Sequence, residues 1–209
     1  MSLVNKSAPI FRATAVVDAE KIVQDFSLTQ FLGKKEVLFF FYPKDFSLIC
    51  PTEMLAFQDR IEDFEKRNVA LVACSTDSEE VHLAWLNTQN DRGGIWGVEY
   101  PLVADFSKTI ADSFGILGGN YSHDSKGKLI FEGDCMPLRA TFLIDKEGII
   151  RHESVNHFQI ARNIDDYLRI IDVWQHSQKS EEICPANWVL GEDTFENSKD
   201  GLTDYLSTH

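Results

Sequence analysis

Val37-Leu38-Phe39-Phe40-Phe41-Tyr42-Pro43-Lys44-Asp45-Phe46-Ser47-Leu48-Ile49-Cys50-Pro51-Thr52-Glu53 is the stretch that decides the fold. It opens with an unbroken apolar, aromatic-rich run from Val37 to Tyr42. Such a run, closed by Pro43, predicts a strand buried on both faces. A short loop leads to Cys50. Behind it, Met54, Phe57, Ile61 and Phe64 recur at spacings of 3, 4 and 3, which puts them on one face of a helix. Pro51 suits the first helical turn, where its missing N–H leaves nothing unsatisfied. A thiol therefore stands at the start of a helix that leaves a buried strand. The unpaired N–H groups there and the positive end of the helix dipole favour a thiolate, which is the nucleophilic form. Two roles fit the position: a reactive thiol, or a small core residue at a helix start.

Composition narrows the classes of function. The chain has 209 residues and a formal net charge of −13. Its length suits one domain of ordinary size with an extension. The acidic balance argues against nucleic acid and against anionic membrane surfaces as partners. No apolar run approaches the roughly 20 residues of a membrane span. The first residues, Met1-Ser2-Leu3-Val4-Asn5-Lys6, lack an apolar signal region. These features predict a cytoplasmic protein. The four cysteines, Cys50, Cys74, Cys135 and Cys184, contain no C-x-x-C pair and are too few for a disulfide scaffold. The six histidines form no metal-ligand spacing, including the pair His152 and His157.

Elsewhere strands alternate with helices. Phe11–Val17 reads as a strand, with Phe26–Leu28 another piece near it. Val69–Ser75 is a second buried strand, Glu79–Asn90 a helix with Val81, His82, Trp85 and Leu86 on its apolar side, and Pro101–Asp105 a third strand. Thr109–Phe114 is a short helix stopped by Gly115. Ala140–Ile144 and Ile149–Val155 flank Asp145-Lys146-Glu147-Gly148, a hairpin signal. Ile164, Tyr167, Leu168, Ile171 and Trp174 mark one face of a last long helix. Residues 118–138 are polar and turn-rich and read as a loop. The pattern predicts an α/β fold with a mixed sheet.

Pro43-x-x-x-Ser47-x-x-Cys50-Pro51-Thr52-Glu53 resembles the active-site loop of the peroxiredoxins, the thiol peroxidases related to the peroxidase component of alkyl hydroperoxide reductase. The family usually has Thr where this chain has Ser47, so the hydroxyl is kept and a methyl is lost. A second motif, Ile183-Cys184-Pro185-Ala186-Asn187-Trp188, is similar to the family's resolving-cysteine segment. The resemblance runs from Pro9 to about Trp188 and implies a thioredoxin-like fold. It divides the chain into a peroxidase domain, 1–178, and a C-terminal segment, 179–209, that carries the second thiol. The family's counterpart of 118–138 is usually shorter, which makes that stretch an insertion.

The resemblance also implies a mechanism without metal or organic cofactor. Cys50 attacks a peroxide and becomes a sulfenic acid. Cys184 of the partner subunit then condenses with it to a disulfide across a homodimer, and thioredoxin or a dedicated flavoprotein reductase resets the pair. Members of the family often assemble further, as decamers of five dimers. Arg139 matches the family's active-site arginine, expected to stabilise the thiolate and the developing charge on the peroxide; by its position alone an arginine at a strand edge is more often a solvated charge. Ser47 is expected to hydrogen-bond the peroxide, Pro43 to shield the thiolate, and Glu53 to orient arginines by bidentate pairing. Arg162 matches a second arginine near the site. Cys74 belongs to the core, while Cys135 is either inert, the reading we favour, or an extra redox thiol. A redox relay and a holdase chaperone are the competing functions, but a holdase needs neither Ser47, Arg139 nor Cys184.

Two family motifs linked to over-oxidation are half present. Gly93-Gly94-Ile95-Trp96 stands where easily over-oxidised members carry Gly-Gly-Leu-Gly, and Tyr205-Leu206 where they carry Tyr-Phe. The tail from Glu192 is expected to form a short covering helix with Leu202, Tyr205 and Leu206 as its apolar face. Cys50 is expected to be intermediate in sensitivity to sulfinic acid.

Overall fold

Each expected element can be set against a computed structural model that describes residues 2–208. In chain order, β1 is Ala13–Val17, β2 Lys21–Phe26, β3 Glu36–Phe41, α1 Cys50–Gln58, α2 Ile61–Lys66, β4 Val69–Ser75, α3 Glu79–Leu86, β5 Leu102–Ala104 and α4 Thr109–Ser113. Then come β6 Leu117–His123, β7 Leu129–Pro137, β8 Arg139–Ile144, β9 Ile150–Asn156, α5 Ile164–Lys179, β10 Glu182–Ile183, β11 Phe195–Glu196 and α6 Lys199–Thr208. The chain divides into two compact units, Met1–Arg162 and Asn163–His209.

In the first unit a seven-stranded sheet runs in the order β2-β1-β5-β4-β3-β8-β9. β3, β4 and β5 are parallel, and the other pairings are antiparallel. This is the mixed α/β sheet that the alternating pattern predicts. Strand β3 lies between β4 and β8, and every one of its residues is buried. Side chains alternate across it. Phe39 and Phe41 join Phe114 and Phe142 on one face, with ring centroids 4.7 to 5.3 Å apart for Phe39–Phe41, Phe39–Phe114, Phe41–Phe114 and Phe114–Phe142. Phe40 faces the other way and stacks on Phe57 of α1 at 4.2 Å. Such rings bury the most apolar area per residue, so β3 and α1 are locked together next to the point where Cys50 begins the helix.

Three expectations are corrected. The single helix running through Met54, Phe57, Ile61 and Phe64 is broken after Gln58. The backbone tightens there: Arg60 N–H donates to Phe57 O, and Phe64 N–H then picks up Arg60 O. The turn keeps Phe64 buried and leaves Ile61 only half-buried. The 118–138 segment is not a loop but an antiparallel hairpin, β6–β7, forming a two-stranded sheet of its own. Only its tip is a turn, where Asp124 Oδ1 accepts the backbone N–H groups of Lys126 and Lys128. Its glycines are there for close approach: a Cβ on Gly133, at φ +129°, would lie 2.6 Å from Gly119 Cα.

Helix α3 also stops short of the expected Asn90. The Asn87 and Thr88 side chains bond back to the carbonyls of Leu83 and Ala84, and a short 3-10 turn over Asn90–Arg92 follows. Of the face expected there, His82, Trp85 and Leu86 are buried.

The second unit opens with α5, capped by Asn163, whose side chain accepts from Asp165 N–H. Its buried face is Ile164, Tyr167, Leu168 and Ile171. β10 and β11 pair antiparallel, and Tyr205 of α6 packs on Phe195 of β11 at 5.2 Å. The expected tail helix is thus present, with Leu202 and Leu206 exposed. Among the described residues no helix is long and apolar enough to cross a membrane.

Candidate active site

Cys50 is the first residue of α1, and the side chain of Ile49 before it makes no capping bond. The N–H groups of the first turn are met locally: Thr52 and Glu53 N–H donate to Ile49 O, Pro51 has none, and Cys50 N–H donates to Ser47 Oγ at 3.3 Å. Cys50 itself is wholly buried.

Arg139, at the start of β8, brings Nη1 to 3.4 Å from Cys50 Sγ and to 2.6 Å from Glu53 Oε2. Its Nε donates to Phe158 O at 2.7 Å, which fixes the plane of the guanidinium. Glu53, one turn after Cys50, shares its carboxylate with a second arginine. Arg162 N–H reaches Oε1 and Arg162 Nη1 reaches Oε2, both at 2.9 Å. The rest of the Arg162 fork is filled by Thr141 Oγ1, Ala140 O and Phe41 O, and the group lies over the Phe40 ring at 5.5 Å. Glu53 and Arg139 are 2 and 3% exposed. Buried charges persist only when paired and hydrogen-bonded. Two guanidiniums against one carboxylate leave one positive charge uncompensated, and it faces the sulfur. A Cys50 thiolate closes that balance.

Cys50, Ser47, Glu53, Arg139 and Arg162 are thus gathered at one place by β3, α1, β8 and the segment after β9. The reading of Arg139 as a solvated charge is overturned, because it is buried and braced on Phe158 and Glu53. Pro43 is buried in the loop between β3 and α1. Cys184 lies in the second unit, directly after β10, and is half-buried. Burial first, and the Glu182 carboxylate second, push its thiol above the ordinary cysteine value. Cys74, wholly buried in β4, is pushed up well above its ordinary value by burial and then by Asp105, as suits a core thiol. Cys135 is half-buried in β7 at a left-handed φ of +52°.

One part of the site escapes sequence reasoning. The loop carrying Pro43 and Ser47 rests on a buried polar network. Asp45 accepts Tyr42 O–H at 2.8 Å through Oδ1 and meets His82 Nδ1 at 2.7 Å through Oδ2. His82 Nε2 is 3.2 Å from Val103 O, and Asp45 N–H donates to Asp77 Oδ2 at 2.9 Å. Burial raises the Asp45 carboxyl above its ordinary range, against the pull of His82. It also raises Tyr42, with Asp45 adding to the effect. The available signal was His82 itself, a polar residue on the apolar side of α3 with no apparent partner. Among the described residues there is no cluster of His, Cys, Asp and Glu able to hold a metal ion.

Comparison with known proteins identifies the family. The AhpC/TSA family matches residues 4–153, and the C-terminal domain of 1-Cys peroxiredoxin matches residues 174–208. The chain is 40% identical to the chloroplastic 2-Cys peroxiredoxin BAS1 of Hordeum vulgare over 207 residues, covering 99% of this chain and 91% of that one. It is 39% identical to a thioredoxin peroxidase of Echinococcus granulosus, covering 99% of each. The crystal structure of the reduced 2-Cys peroxiredoxin of Plasmodium vivax superposes with a TM-score of 0.87 at 39% identity, covering 99% of this chain and all of that one. With matching motifs, a shared thioredoxin-like fold and relatives alike from end to end, the chain belongs to the AhpC/TSA family of peroxiredoxins.

Proposed function

We propose that this peroxiredoxin, a thiol-dependent peroxidase, reduces hydrogen peroxide and organic hydroperoxides at Cys50 and resolves the product with Cys184 of a second copy. The observation that carries the chemistry is Arg139 Nη1, 3.4 Å from a sealed Cys50 Sγ and pinned by Glu53. The thiolate attacks the distal peroxide oxygen. An S–O bond forms, the O–O bond breaks, and the leaving oxygen departs as alcohol or water after taking a proton. Negative charge moves from sulfur to the leaving oxygen, and Arg139 can follow it because its donors are already oriented. Ser47 O–H is free to donate to the peroxide, since its oxygen lone pair takes the Cys50 amide. Pro43 helps keep water from the sulfur.

The sulfenic acid then condenses with the Cys184 thiol, releasing water and leaving a disulfide. A dithiol reductant restores both thiols by exchange. Relatives named thioredoxin peroxidase support thioredoxin as donor, and those named alkyl hydroperoxide reductase C leave room for a dedicated flavoprotein. The working unit in this reading is a homodimer that assembles to a decamer, in the reducing cytoplasm, with segment 179–209 as the carrier of the resolving thiol. The test is peroxide consumption with a thioredoxin system by wild type, Cys50→Ser and Cys184→Ser. Turnover in wild type, none in Cys50→Ser, and a single unrecycled turnover in Cys184→Ser support the reading; full turnover without Cys50 overturns it.

A further inference from the structure

Among the described residues the β6–β7 hairpin is a two-stranded sheet of its own. A lone ribbon of this kind is marginal in water, whereas three or more strands over an apolar face are stable. This ribbon carries such a face. Tyr121 pairs across the ladder with Phe131, and His123 with Leu129, so these side chains lie on one side of it. The Tyr121 and Phe131 rings meet at 4.9 Å. Yet Tyr121 is 54% and Leu129 56% exposed. An apolar face beside a free edge is a template for a further strand. The outer edge of β7 indicates which strand fits. Asp124 N–H donates to Lys128 O at 2.9 Å. Hydrogen-bonded pairs alternate with non-bonded ones along an antiparallel ladder. Ile130, two residues on, therefore turns its backbone groups toward Ser122 of β6, while Leu129 and Phe131 turn theirs outward. Charge is graded along the same edge. Lys128 stands two residues before Ile130 and Glu132 two after it, with Lys126 at the tip and Asp134 toward the root.

We propose that β7 pairs antiparallel with β7 of a second copy of this chain, with Ile130 on the two-fold axis, so that two hairpins form one four-stranded sheet. In that register Leu129 lies opposite Phe131 of the second copy, and the outward N–H and C=O groups of these residues bond each other. Lys128 lies opposite Glu132 of the second copy, and Lys126 opposite its Asp134. The contact is isologous, so each of these pairs forms twice. Tyr121, Leu129 and Phe131 of both hairpins then share one apolar face, which neither ribbon can cover alone. The charges also select the direction. An in-register parallel pair would set lysine against lysine and glutamate against glutamate, and like charges directly opposite are destabilising. Neither Cys50 nor Cys184 takes part, so the contact stands apart from the thiol chemistry.

Sedimentation velocity of the reduced full chain reads the contact. A variant with residues 121–131 replaced by a two-residue turn is the reference that lacks it. Wild type should associate, as concentration rises, to species larger than any the reference forms. Lys128→Glu and Glu132→Lys each set like charges opposite each other twice, and each should weaken that step about tenfold or more. Both should keep the wild-type rate of Cys50 oxidation, which shows that the fold is intact. Mixing the two variants in equal amounts should restore association, and so should the double exchange, because both bring opposite charges back across the axis. A purely local effect of either charge would not be rescued by mixing. Ile130→Cys, treated with diamide, should give two chains linked through residue 130 on peptide mapping, since directly opposed side chains are close enough for a disulfide. A wild type no larger than the reference, single variants that associate as wild type does, a mixture that fails to recover, or the lack of a link through residue 130 would each overturn the pairing.

Discussion

At the scale of single residues the site is a charge balance built from Arg139, Arg162, Glu53 and the sulfur of Cys50. Arg139→Met should lower the second-order rate of Cys50 oxidation about 10²- to 10³-fold, the range for losing one preorganised donor to developing charge; stopped-flow mixing with hydrogen peroxide measures it. Arg139→Lys should recover only part, because a point charge cannot hold Glu53, Phe158 O and the sulfur at once. Asp45 gives the pH-dependent prediction. Its carboxyl is raised by burial, so above the ordinary carboxyl range the folded chain holds a proton that the unfolded chain has lost. Stability is then present at low pH and declines as pH rises through the raised value. Asp45→Asn should remove that decline, so urea unfolding at pH values rising from the ordinary carboxyl value of about 4 should show the variant gaining on wild type; a constant difference would contradict the assignment. Cys50, Ser47, Glu53, Arg139 and Arg162 were all legible from motifs, because bond-making residues keep their spacing. The Asp45–His82 contact was not, because its partners come from different elements and only the folded sheet brings them together.

At the scale of elements, β3 and the start of α1 were readable because an unbroken aromatic run has few ways to be satisfied other than in the middle of a sheet. The break between α1 and α2 was not readable. The apolar spacing continues across it, and a tightened turn at Arg60 changes direction without changing the pattern. The β6–β7 hairpin was hidden by its composition, since Gly118, Gly119, Asn120 and the Asp124–Gly127 stretch are turn formers. Two of these glycines sit within the ladder, where close backbone approach requires them. Among the described residues the hairpin pairs with no strand of the main sheet. Its root is another matter: a Cβ on Gly118 would lie 2.8 Å from the Phe158 ring, next to the carbonyl that holds Arg139. Replacing the tip, residues 121–131, by a two-residue turn should leave Cys50 oxidation within about twofold of wild type, as exposed tips tolerate change. Gly118→Val should lower it by pushing on Phe158. Equal effects of the two changes would contradict this division of the hairpin.

At the scale of the whole molecule, the central sheet holds the peroxide chemistry, and a separate unit carries the second thiol on a weak strand pair. The α/β class and the thioredoxin-like fold were evident in the order of strands and helices and in two motifs, while the unit boundary after Arg162 left no mark in composition. Sensitivity to over-oxidation is a property of this larger scale. Gly94 is required, since a Cβ there would overlap Thr88 O, yet Trp96 follows where full motifs carry glycine, and Leu206 where they carry phenylalanine. Titration with excess peroxide should give a sulfinic fraction at Cys50 between those of relatives with both motifs and with neither; a fraction matching either extreme would contradict this. The most direct measurement of the central claim is the intact mass, under denaturing non-reducing conditions, of reduced protein given one equivalent of hydrogen peroxide per chain, followed by peptide mapping. The account predicts a chain of doubled mass joined through Cys50 and Cys184. A product of single mass, or a link that leaves out either residue, would contradict it.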